Sequence, residues 1–125
     1  LIGREPKPMT ADYEHAIANH VIDLYEADGQ LLALIEVVRQ ADHLLIENIA
    51  VRPDQQGIGL GDKLLQYAED QARAMRVNEI RLYTNVAFVS NLAFYAKRGY
   101  IEFKREIIAP TAVAVHMRKS VAPGH

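Results

Sequence analysis

Between residues 21 and 52, apolar side chains come in short β-branched runs, VIDLYEA, LLALIEVVR and LLIENIAVR, separated by turn-forming residues. This pattern predicts three strands. Strands over 21–27 and 31–39 form a hairpin whose turn is Asp28-Gly29, and "QADH" turns the chain into a third strand over 44–52. The period then lengthens. Leu60, Leu64, Leu65, Ala68, Ala72 and Met75 fall at helical spacing, with Glu69 and Arg73 one turn apart on the polar side. A short strand over 80–84 follows, then a helix capped by Ser90 and stopped by Gly99. Strands over 100–107 and 113–118 close the pattern, with Pro110 in the bend between them. Ahead of the hairpin, Thr10 is placed to cap a short helix over 11–19.

A helical crossover joins strands 44–52 and 80–84, so they should run parallel, and the other strands antiparallel. The expected fold is α/β: a mixed, mostly antiparallel sheet with helices on its faces. Residues 1–125 form a single domain by size. The opening "LIGREPKPM" starts at Leu1 and reads as a linker or a truncated N-terminal remnant.

Composition narrows the function classes. The net charge of −2 gives no general attraction to nucleic acid or to an anionic membrane. With no cysteine, disulfides, thiolate metal sites and a cysteine nucleophile are excluded. No apolar run approaches the ~20 residues that span a bilayer, and no signal peptide is visible, so a cytoplasmic chain is expected. His15, His20, His43, His116 and His125 show no metal-ligand spacing, and no metal is expected.

The chemistry-bearing stretch is "VRPDQQGIGLGDKLL", where Gly57, Gly59 and Gly61 precede the first long helix. Two phosphate-loop patterns fail here. The dinucleotide fingerprint G-x-G-x-x-G would need glycine at Asp62 or Leu64, and the P-loop would need glycine at Asp62. What remains is Q-x-x-G-x-G over Gln56, Gly57, Ile58, Gly59, Leu60 and Gly61. Unpaired amides at a helix start, the helix dipole and the missing side chains still suit a bulky anion. A flexible strand-to-helix loop with no ligand is the other reading.

Three separated stretches, "LLIENIAVRPDQQGIGLGDKLL", "EIRLYTN" and "NLAFYAKRGY", together resemble the GNAT-type N-acetyltransferase superfamily. The resemblance spans about residues 35–103. It implies that Gln56, Gly59 and Gly61 grip the pyrophosphate of acetyl-coenzyme A (acetyl-CoA). It implies a parallel strand pair that splays near Ile49, Ala50 and Val51, so that the pantetheine arm pairs there like an extra strand. The amide of Ile49 would face the thioester oxygen, a contact whose loss typically costs roughly 3–4 kcal/mol. It further implies a first strand and helix ahead of the present start. That favours truncation or disorder at the front, or an edge completed by another chain in a homodimer.

Acetyl transfer to an amine needs a held donor, a proton acceptor, oxyanion stabilisation and a proton donor for the thiolate. Without cysteine, direct attack in a ternary complex is favoured over an acyl-enzyme. Tyr95, one helical turn after Asn91, occupies the family's tyrosine position and is the candidate general acid. Packing as core with Phe94 and Tyr100 is its structural alternative. Many family members carry asparagine seven residues before this tyrosine; here that position is Phe88, and Asn91 stands as the coenzyme contact. Glu47, two residues before Ile49, is the candidate base, with an ion pair or attraction of a cationic amine as the alternatives. Glu36 lies on the preceding strand. Lys97 and Arg98 meet either the coenzyme's 3′-phosphate or solvent. The expected function is an acetyl-CoA-dependent N-acetyltransferase acting on a small-molecule or peptide amine. A non-catalytic acyl-CoA binding module and a purely structural sheet domain are the rivals.

Overall fold

The computed structural model describes residues 20–122. The expected helix over 11–19, the linker, His15 and His125 lie outside them. Six strands and two helices follow in the order β1 (His20–Ala27), β2 (Gln30–Arg39), β3 (Leu44–Val51), α1 (Leu60–Ala74), β4 (Glu79–Asn85), α2 (Val89–Lys97), β5 (Ile101–Ala109) and β6 (Ala112–Ser120). One sheet holds the strands in the order β1-β2-β3-β4-β6-β5. Only the β3–β4 pair is parallel among the described residues. This is the mixed sheet that the crossover predicts.

Local chemistry explains the ends of the elements. Asp28 and Gly29 take φ of 51° and 76°, the left-handed pair that a tight hairpin with right-twisted arms requires. At the end of α2, Gly99 at φ 95° lets the Tyr100 amide reach the Tyr95 carbonyl (3.1 Å) and its own amide reach that of Ala96 (3.1 Å). The start of α2 differs from expectation. Its N-cap is Phe88, with no side-chain cap bond, and Ser90 lies inside the first turn. The preceding turn is closed instead by Asn85, whose Oδ1 accepts from the Ala87 amide at 2.8 Å. That bond sets the chain entering the helix two residues before a serine cap would act.

The main core lies under α1. Leu64, Leu65, Ala68 and Ala72 face Ala33, Ile35 and Val37 of β2, Leu44 and Ile46 of β3, and Ile80 and Leu82 of β4. Tyr95 of α2 joins the same cluster, with Val115 and Met117 of β6. On the other face of β2, Leu34, Glu36 and Val38 are buried as well, so β2 is covered on both sides. Glu69 is less wet than its spacing suggests. It accepts from Arg73 (3.4 Å) as expected, but also from Lys119 of β6 (2.9 Å), which draws the helix onto the sheet.

Leu64 is fully buried between α1 and the sheet. Leu64→Ala should lower the unfolding free energy by about 2–5 kcal/mol, read from the midpoint of urea denaturation. A loss under 1 kcal/mol would mean that α1 is not seated as described.

Candidate functional site

The site begins where two strands part. β3 and β4 share only the register pairs Leu44↔Ile80 and Leu45↔Arg81. Beyond them β4 follows β6 as far as Asn85↔Ala114, while β3 follows β2 as far as Val51↔Ala33. Residues 46–51 therefore have a strand on one side and a gap on the other. Two chambers open along that gap. One, of about 580 Å³, runs past Ile49, Ala50 and Val51 to Gln56, Gly57 and Gly61. The other, of about 330 Å³, is lined by Glu47, Tyr83, Asn85, Phe88 and Ile108 among others. Asn91 and Tyr95 line both.

The loop after β3 is built to leave its amides uncommitted. The Arg52 amide bonds back to Leu32 O (2.8 Å), and its guanidinium grips Asp54 and Gln30 Oε1 (2.7 Å), which fixes the short 3₁₀ turn Pro53–Gln55. Gln56 donates its side-chain amide to Val51 O at 3.3 Å. Gly59, at φ 90°, is the N-cap of α1, and Gly57 sits at φ 85°. The first bond into the helix runs from the Lys63 amide to Gly59 O (3.1 Å). Among the described residues no hydrogen bond engages the amides of residues 57–62. Ile58 projects outward at 64% exposure, whereas Leu60 packs against the core, so only its backbone can serve a ligand.

Gly61 serves a different purpose from the other two. A methyl group there would lie 2.8 Å from Phe94 Cζ of α2. Phe94 in turn carries the Arg98 guanidinium 3.6 Å from its ring centre, and Arg98 binds Asp62 of α1 through Nε (2.5 Å) and Nη2 (3.1 Å). Each holds the other charged: Asp62 is lowered by the Arg98 hydrogen bond, and Arg98 is raised by Asp62. Arg98 thus has a protein partner, an arrangement the sequence reading did not include. Asp62 and Arg98 stand 36 residues apart, and nothing local announces the pair.

Tyr95 combines the two roles that its position allows. Its ring is 7% exposed and sits edge-on between Phe94 (5.4 Å) and Tyr100 (5.8 Å). It also lines both chambers. Burial pushes the phenol up to about 12, so it keeps its proton at neutral pH. Asn91 is exposed one turn earlier on the same helix face.

Glu47 occupies a β-bulge. Glu36 pairs with Asn48 and Val37 with Ile46, which leaves Glu47 as the extra residue. The bulge breaks the two-residue alternation that would set Glu47 and Ile49 on one face, yet both line the smaller chamber. Tyr83, absent from the sequence reading, donates its hydroxyl to Glu47 Oε1 at 3.3 Å. The Tyr83 ring stands 5.6 Å from that of His116, whose Nε2 lies 3.1 Å from Glu106 Oε1. His43 bonds Asp42 at 2.6 Å. Among the described residues no cluster of His, Asp and Glu is suited to a metal ion, and no helix is long and apolar enough to cross a membrane.

Comparison with known proteins agrees with this architecture. Residues 2–100 match the Acetyltransferase (GNAT) family. A 73-residue stretch is 34% identical to the uncharacterized protein YxbD of Bacillus subtilis (strain 168), covering 58% of this chain and 45% of that protein. Nourseothricin acetyltransferase shares the fold with a TM-score of 0.77 at 19% identity, over 83% of this chain and 66% of its own. A GNAT family acetyltransferase from Elizabethkingia anophelis, solved with acetyl-CoA bound, does so with a TM-score of 0.73 at 14% identity, over 97% and 96%. The chain thus spans less than half of the curated relative, while its fold recurs in solved acetyltransferases. It belongs to the GNAT acetyltransferase family.

Proposed function

We propose that this chain is an N-acetyltransferase that moves the acetyl group of acetyl-CoA onto a primary amine by direct attack in a ternary complex. The observation that carries this reading is a convergence. Uncommitted loop amides, the unpaired side of β3 and a protonated tyrosine all meet along one cleft.

The amides of Gly57, Ile58, Gly59, Leu60 and Gly61, at the positive end of α1, bind the diphosphate of the cosubstrate. Gln56 fixes the loop against Val51. Backbone groups of Ile49, Ala50 and Val51 pair with the pantetheine arm, and the Ile49 amide stabilises the oxyanion as the amine nitrogen attacks the thioester carbon. Asn91, beside Tyr95, contacts the same arm. Glu47 takes the proton that the attacking nitrogen loses. As the C–N bond forms and the C–S bond breaks, Tyr95 gives its proton to the departing sulfur.

The smaller chamber receives the acceptor. Glu47 is its only charged lining residue among those described, which attracts an ammonium group. Phe88 and Ile108, 55% and 64% exposed, offer its carbon skeleton an apolar rim.

Three measurements test the reading. Tyr95→Phe should bind CoA like the parent in calorimetry while thiol release with an amine panel falls by about 10²–10⁴. An unchanged rate would assign the proton to water, and binding without thiol release in the parent chain would mark a binding module. Gly59→Ala meets no neighbour within 4 Å and should cost only backbone strain, about 1–2 kcal/mol. Gly59→Glu, which adds charge against the diphosphate, should abolish the thermal stabilisation by CoA. Full stabilisation in Gly59→Glu would move the phosphate site elsewhere.

The third concerns pH. Tyr95 is raised from 10.0 to about 12, so its contribution to stability is complete below pH 10 and is lost as pH climbs through 12. Tyr95→Phe should flatten part of that alkaline loss in urea titrations. Tyr100 and Tyr67, raised in the same direction by burial, contribute to the remainder. Identical alkaline slopes in the parent and Tyr95→Phe would place the phenol in water.

A further inference from the structure

Two helices must be held in register for this chemistry, because one carries the loop that seats the donor and the other carries the acid. α2 is only nine residues long and starts without a side-chain cap. What joins it to α1 is a compact device at the mouth of the larger chamber. Phe94 fills the space left by the missing side chain of Gly61, where a Cβ would approach to 2.8 Å. Arg98 lies over that ring, its Cζ 3.6 Å from the centre, and donates through Nη1 to the Phe94 carbonyl at 3.0 Å. Its other nitrogens close on both carboxylate oxygens of Asp62, at 2.5 and 3.1 Å. The fork fixes the plane of the guanidinium, the plane fixes the ring, and the ring is bonded through the backbone to the next residue, Tyr95. Phe94 also meets the Tyr95 ring edge-on at 5.4 Å.

We propose that Phe94, clamped between Gly61 and the Asp62–Arg98 pair, is a positioning residue that sets the Tyr95 hydroxyl relative to the glycine loop. The inference rests on the reading of Tyr95 as proton donor. Asp62 and Arg98 are positioning residues of the same device. The pair also bears on the loop electrostatically. A carboxylate in the first turn of α1 would repel a diphosphate, and Arg98 neutralises it there. Proton transfer at a fixed distance is steep in geometry: a misplacement of about 1 Å can cost about 10² in rate. Asp62 is not in the lining of the larger chamber, so loosening the clamp there slows turnover and does not weaken donor binding.

The test uses the folded chain well below its melting temperature, with CoA affinity by calorimetry and turnover by thiol release. Asp62→Asn should lower kcat about tenfold, with CoA affinity equal or tighter because a negative charge has left the loop. Gly61→Ala should lower kcat similarly by pushing on Phe94. The double variant Gly61→Ala/Phe94→Leu should recover at least half of that loss, since the smaller side chain yields the space. That rescue keeps the test decisive if Asp62→Asn does not fold. Weakened CoA binding in Asp62→Asn would overturn the proposal, and so would wild-type kcat in Gly61→Ala or no recovery in the double variant. Tyr95→Phe in the same assay separates the two failures. If it is slow while the clamp variants run at the parent rate, only the clamp is wrong. If it turns over normally, the proton-donor reading falls first and the clamp with it.

Discussion

A β-strand that leaves its neighbour exposes a row of amides and carbonyls that must be hydrogen-bonded by something else. β3 does this after two register pairs with β4, and the rest of the site is arranged around the consequence. β4 is drawn away by a continuous ladder to β6, and β3 is held back by its ladder to β2. Tyr95 fills the wedge between them, buried enough to belong to the core and open enough to line both chambers. In the proposed complex an extended ligand laid along the unpaired side of β3 completes the sheet locally.

The three glycines divide their labour along this path. Gly57 and Gly59 adopt left-handed conformations that turn the chain from the end of β3 into α1 and leave the intervening amides uncommitted. Gly61 is small because Phe94 stands where its side chain would be. One tripled motif thus shapes a loop of uncommitted amides and, two residues later, a helix-to-helix contact. Burial holds the Tyr95 phenol above its ordinary range, so it is protonated at neutral pH. At the smaller chamber a bulge carries Glu47 in the lining, with Tyr83 bonded to its carboxylate.

Much of this was legible from local patterns. The strand lengths, the Asp28-Gly29 turn, the parallel pair and the glycine loop all follow from periodicity and turn chemistry, which act over a few residues. What escaped were features set by contacts across the fold. The run LLIENIAV carries no glycine or other signal of a bulge, so its sequence predicts regular alternation, whereas the register shift at Glu47 appears only in the pairing with β2. Ser90 looks like a cap, but Asn85 organises the turn before it. The Glu69–Lys119 and Asp62–Arg98 pairs join residues 50 and 36 positions apart and exist only once the sheet has formed. Tyr95 was posed as acid or core, and the geometry makes those compatible.

In the proposed complex, backbone amides beside the parted strand, and not side chains, hold the acyl donor. Amide chemical shifts followed residue by residue during titration with CoA test this placement most directly. The largest changes should cluster at residues 49–51 and 57–61, with the β5–β6 hairpin little affected. Saturable changes centred elsewhere, with those two stretches unmoved, would contradict the placement.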